Sequence, residues 1–130
     1  SSVTTVDWDT EIIDNDTMHN NVTNNERLVA TTAGTYLVYL NIDWEANATG
    51  TREAAIYKNG TTDPTKVVSS RIDAAASSST QQNLSTCLVL AATDYVLARV
   101  RQGSGSSINL EFDAATDNSL THFGMIRLSA

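Results

Sequence analysis

The chain has 130 residues, a length that fits one domain whose core can stand without disulfide staples. Eight Lys and Arg against fifteen Asp and Glu give a net charge of −7, which repels phosphate backbones and argues against nucleic acid as a partner. No apolar run approaches the roughly 18 residues of a membrane-spanning helix, so membrane insertion is not expected.

Residues 3–12 alternate, with Val6, Trp8, Thr10 and Ile12 on one side and Asp7, Asp9 and Glu11 on the other. That pattern predicts a half-buried strand with one wet face. Residues 14–25 carry five Asn and two Asp and read as a polar loop of turn-capping side chains. A short strand is expected at 27–30. The run Gly34-Thr35-Tyr36-Leu37-Val38-Tyr39-Leu40-Asn41-Ile42 follows, opened by a glycine read as a tight turn and extending as a strand to Trp44. It has the character of a strand buried on both faces. Tyr36, Val38, Leu40 and Ile42 share one face and are expected to build the core. Leu37 and Tyr39, on the other face, need a cover of their own. In so short a chain the expected cover is another subunit.

Residues 45–51 read as a loop containing Asn47 and Gly50. Residues 53–58 lead into Asn59-Gly60, a hairpin signal because both residues tolerate positive φ. Pro64 excludes a central strand at that point, and strand character resumes over 66–72. Residues 74–82 are a low-complexity Ala/Ser/Thr/Gln connection. Strands at 84–90 and 94–102 flank the turn Ala91-Ala92-Thr93-Asp94, residues 103–107 form a flexible turn, and strands at 108–112 and 122–128 close the chain. About eight to ten short strands without a helix, a repeat or a second domain mean an all-β sandwich or barrel.

Three segments resemble, in order, the jelly roll shared by the tumour necrosis factor family and the globular head of complement one-q. Ala33-Gly34-Thr35-Tyr36-Leu37-Val38-Tyr39 is similar to the superfamily's Gly-x-Tyr-x-x-Tyr strand. Leu90-Ala91-Ala92-Thr93-Asp94-Tyr95-Val96 is similar to its Leu-x-x-Gly-Asp-x-Val turn, with Thr93 in place of the usual glycine. His122-Phe123-Gly124-Met125-Ile126-Arg127-Leu128 is similar to the closing Phe-x-Gly-hydrophobic strand, and Lys58-Asn59-Gly60 matches a hairpin of the complement branch. The segment from Trp8-Asp9-Thr10-Glu11 through Met18-His19 looks closest to bacterial and phage members, which occur as terminal domains of fibres and surface proteins. The resemblance implies a ten-stranded antiparallel jelly-roll sandwich over residues 1–130, assembled as a compact homotrimer with one sheet along the threefold axis. It further implies that Leu37, Tyr39, Asn83 and His122 lie near that axis. No Gly-X-Y stretch is present, and no charged-then-apolar leader opens the chain; a stalk or leader is expected to be absent or removed.

If His122 is axial, three imidazoles converge, and protonation would set like charges together in a poorly solvated place. The trimer is then expected to loosen below about pH 5–6. A threefold histidine metal site is the lesser alternative. Asp14, Asp16 and His19 lie close in sequence, but Asp-x-Asp without the following glycine and distant glutamate is not an EF-hand. They read first as a capped, solvated turn, with a calcium site at Asp14 and Asp16 the second reading. Cys87 is the single cysteine, so no internal disulfide forms, and among apolar neighbours it reads as a small hydrophobe. No nucleophile-elbow, zinc or phosphate-loop spacing is present, and Asp7 with Asp9 reads as edge protection rather than a catalytic pair. No enzymatic activity and no cofactor beyond that calcium alternative are expected.

Trp44 and Asn47 border a polar loop and are candidate ligand contacts; the competing role for Trp44 is to close the core. The expected function is a non-enzymatic trimeric module of a virion or prokaryotic surface, a capsid decoration or fibre tip. Its partners would be a capsid or fibre protein, or a surface glycan or protein receptor. The alternatives are a secreted receptor-binding ligand of the complement or cytokine kind and a purely structural trimerisation domain. All of these place it on a virion or outside the cell.

Overall fold

The computed structural model describes residues 2–112 and 121–130. The described strands are β1 (Thr4–Thr5), β2 (Arg27–Val29), β3 (Gly34–Trp44), β4 (Thr51–Lys58), β5 (Lys66–Asp73), β6 (Thr80–Leu90), β7 (Tyr95–Gln102) and β8 (His122–Ser129). One sheet has the order β6-β3-β8, and the other β1-β7-β4-β5 with β2 also on β7. Every pairing is antiparallel. The chain is therefore all-β, two antiparallel sheets stacked as a sandwich.

The period of two along β3 builds the core. Tyr36, Val38, Leu40, Ile42 and Trp44 all point between the sheets, and none is more than 2% exposed. Ala54 and Ile56 of β4 and Val96, Ala98 and Val100 of β7 meet them from the other sheet. Bulk on one sheet opposite alanines on the other lets the layers interdigitate, and each large apolar side chain so buried contributes about 1.5–3 kcal/mol. The core face of the run that opens β3 is as expected. Its glycine is not a turn residue, because Gly34 has no positive φ. A Cβ there would run into the Ser129 carbonyl and the Arg127 guanidinium of β8, so the glycine admits a close strand approach.

The other departures from expectation follow from partners that lie far away in sequence. Only Thr4–Thr5 of the expected strand over 3–12 pairs, with β7. Val6 N–H still donates to the Ala98 carbonyl of β7 at 3.0 Å, after which Trp8 N–H donates to the Asn25 carbonyl at 3.1 Å and the segment becomes a strap. Residues 108–112 form a single bridge, Leu110 to Trp44, rather than a strand. Strand β6 starts earlier than expected because Thr80 and Gln82 find buried partners. Gln82 Oε1 accepts from Trp44 Nε1 at 2.8 Å, and its Nε2 donates to the Ser70 carbonyl at 3.0 Å. The Asn59-Gly60 hairpin is wider than a two-residue turn. Only Asn59 takes positive φ, and a single turn of 3₁₀ helix, Asp63–Thr65, intervenes before β5.

That wider turn is locked to the neighbouring one. Asn59 Nδ2 donates to Asp94 Oδ1 at 2.7 Å, and Tyr95 N–H donates to Asn59 Oδ1 at 2.9 Å. Ala91 N–H donates to Asp94 Oδ2 at 2.9 Å, and Lys58 Nζ pairs with the same oxygen at 3.0 Å. The Asn59 amide first, then the Ala91 N–H and Lys58, hold the Asp94 carboxyl down at about 2. A depressed carboxylate stabilises the fold above its unfolded value near 3.9, and that contribution is lost as pH falls through about 2. Asp94→Asn is expected to cost about 1 kcal/mol at neutral pH, the solvent-exposed pairing with Lys58 adding little. Thermal melts should show the gap between wild type and variant closing from pH 4 to pH 2.

Thr93 sits in the same turn at φ +75°, a left-handed conformation that suits glycine and crowds a β-branched side chain. Thr93→Gly should remove that strain and raise stability by about 1 kcal/mol, read as a higher urea midpoint at unchanged slope.

Candidate assembly interface

The outward face of the β6-β3-β8 sheet is read off its register. Leu37 lies between Cys87 and Ile126, Tyr39 between Ser85 and Gly124, and Asn41 between Asn83 and His122. Thr35 next to Val89 continues the row at one end, and Asp43 next to Gln81 at the other. The face grades from apolar to polar along β3. Val89 is 75% exposed, Leu128 55% and Ile126 53%, with Leu37 and Tyr39 half-buried among them.

The outward face of the other sheet also carries apolar residues, but it covers them itself. Ala55, Tyr57 and Leu97 form a small buried cluster there, with Tyr95 beside it. The Arg27 guanidinium lies 4.3 Å above the Tyr95 ring, and Arg99 and Lys66 lie 5.6 and 5.7 Å from the Tyr57 ring. Their aliphatic stems shield the cluster while the charged heads stay in water. None of the chain's cations stands over Leu37, Tyr39, Cys87 or Ile126 in that way among the described residues.

Tyr39 is placed by Gly124. A Cβ at that glycine would collide with the tyrosine ring, so the ring lies flat across the β8 backbone. Its edge contact with His122 spans 5.8 Å between centroids. Asn41 Nδ2 lies within hydrogen-bond distance of His122 Nε2, at 2.5 Å. The fold thus gathers Leu37, Tyr39, Asn83 and His122 on one face of one sheet. Cys87 is exposed there beside Leu37 rather than buried in the core.

The remaining candidate residues fall elsewhere. Trp44 is buried at 2% exposure with its indole N–H satisfied by Gln82, so its ring closes the core and is not available to stack on a sugar. Asn47 is half-buried, and its Oδ1 accepts from Thr49 N–H at 2.9 Å, an Asx turn that shapes its loop. Asp14 uses both carboxylate oxygens as caps, accepting from Met18 N–H at 2.9 Å and His19 N–H at 3.0 Å. His19 Nδ1 lies 3.0 Å from Glu11 Oε1 and its Nε2 lies 2.9 Å from the Asn25 carbonyl, tying the strap to the 14–25 loop. Asp14 and Asp16 form no metal-ligating group among the described residues.

Two buried charged residues were not singled out from the sequence. Asp43 is 2% exposed, with Oδ2 accepting from Gln81 Nε2 at 3.2 Å and Oδ1 unpaired. Arg52 is fully buried, and its guanidinium donates to the carbonyls of Asn47, Thr49 and Thr51 at 2.7, 2.9 and 3.2 Å. The signal for Arg52 was its phase, since it shares the inward parity of Ala54 and Ile56. No protein-family model matches the chain, and no curated protein matches it either.

Proposed function

We propose that this chain is a non-enzymatic jelly-roll module that works as a homotrimer on a virion or prokaryotic surface, as capsid decoration or fibre tip. The observation that carries the reading is the contrast between the two outward faces. One apolar cluster is roofed by the chain's own cations, while among the described residues no cation stands over Leu37, Tyr39 or Ile126 in that way. An uncovered apolar sheet face of that kind fits a subunit interface. In this arrangement Tyr39 and Leu37 meet their copies near the threefold axis, with Asn83 and His122 at the polar end. The loops at 45–51 and 103–107, rich in Asn, Ser, Thr and Gly, then face outward as the contact surface for a capsid or fibre protein or a surface receptor.

Sedimentation equilibrium of the purified chain at micromolar concentration tests the assembly, with three chain masses expected. A single chain mass would overturn the proposal. Electron microscopy of the native particle tests the setting, where density for this trimer on a capsid or fibre is expected.

A further inference from the structure

A groove of about 740 Å³ runs between β8 and the strap of residues 6–14, a size typical of occupied clefts. Its floor includes Trp8, Leu110 and Phe123, the rings of Trp8 and Phe123 stacking at 5.6 Å between centroids. Its mouth is lined by Ile12, Ile13 and Phe112, which are 61%, 80% and 55% exposed. Four carboxylates, Asp7, Asp9, Glu11 and Asp14, line the strap side, and no Lys or Arg lines the groove among the described residues.

Among the described residues, two kinds of hydrogen-bonding group at this groove lack partners. Among the described residues strand β8 pairs with β3 on one side only, so residues 123–128 keep a row of ladder donors and acceptors along the other edge, and 123–125 of these line the groove. The indole N–H of Trp8 is buried and has no acceptor.

We propose that the groove accepts an extended segment of another protein, which adds to the outer edge of β8 as a further strand. Alternate apolar side chains of that segment seat on Trp8 and Phe123, and basic side chains between them meet the strap carboxylates. The main chain satisfies the β8 edge. A compact small molecule would leave that edge unpaired. A second copy of this chain is disfavoured by charge, since it carries a net −7 and the same acidic strap. The groove opens at the edge of the sheet and also takes in Tyr39, His122 and Gly124 of its outward face.

The test is hydrogen–deuterium exchange on the full chain with a short alternating lysine–valine peptide as probe, followed in parallel by tryptophan fluorescence. Expected are slowed exchange at residues 123–128 on saturation and binding about tenfold weaker for a peptide with the lysines and valines in separate blocks. Asp7→Lys, at an exposed position, should weaken the alternating peptide about tenfold with an unchanged circular dichroism spectrum. Equal binding of the two peptides, or saturation without protection of 123–128, overturns the proposal. So does protection of those amides without peptide. If independent of concentration, it means that the strap itself closes on β8; if rising with concentration, a second copy fills the groove.

Discussion

Tyr39→Asp is expected to sediment as a folded monomer under conditions where the wild-type chain sediments at the three chain masses proposed for it. Tyr39 is only half-buried in the single chain and lies on the outward face, so the substitution leaves the sandwich core untouched. In the trimer the same change would bring three carboxylates together in an apolar place beside Leu37. Burying each uncompensated charge costs several kcal/mol, which is the scale of a whole micromolar association. Tyr39→Phe keeps the ring that lies across Gly124 and should remain trimeric. A trimeric Tyr39→Asp variant at micromolar concentration would mean that the subunits meet elsewhere.

Arg52→Ala should be the most damaging single change to the fold itself, with an expected loss of about 3–4 kcal/mol. Arg52 draws three carbonyls of the 45–51 loop onto one guanidinium, and its own carbonyl accepts from Gln82 Nε2 at 3.3 Å. Its guanidinium also lies 5.9 Å from the ring centre of Trp44. Truncation leaves the loop carbonyls without their donor at about 1 kcal/mol each and opens a cavity against Trp44. Arg52→Lys should recover less than half of the loss, since one ammonium cannot span the three acceptors as a planar fork does. Urea denaturation measures both. A loss below 1 kcal/mol would show that water replaces the guanidinium at little cost.

Much of this architecture was legible because it rests on strand parity. The alternation in Tyr36, Val38, Leu40 and Ile42 sets the core face, and the same parity forces Leu37 and Tyr39 outward. Asn83 and His122 join them only through the register, where both stand opposite Asn41. The sequence could not reveal the polar interior. Thr80 and Gln82 look like loop residues until Trp44, Arg52 and Ser70 supply partners from three other strands. The strap misled for a related reason. Val6 and Trp8 alternate like a strand and do pack on the core, but Trp8 N–H finds Asn25 instead of a ladder. The groove is a gap between such distant segments, and no local pattern encodes a gap.

The roof of cations over the five-stranded sheet has a consequence for whatever approaches the assembly from outside. Arg27, Lys66, Arg71, Arg99 and Arg101 all belong to that sheet's outward side, five of the chain's eight Lys and Arg residues. In the proposed trimer, with the β6-β3-β8 face turned to the axis, most of the positive charge would lie on the exterior wall. The carboxylates concentrate at the strap and loop ends. A visitor at long range meets an acidic particle and is repelled if it is anionic; at contact with the wall it meets arginines. Sulfated or sialylated surfaces would therefore be sorted by where they touch, a distinction that a net charge of −7 conceals.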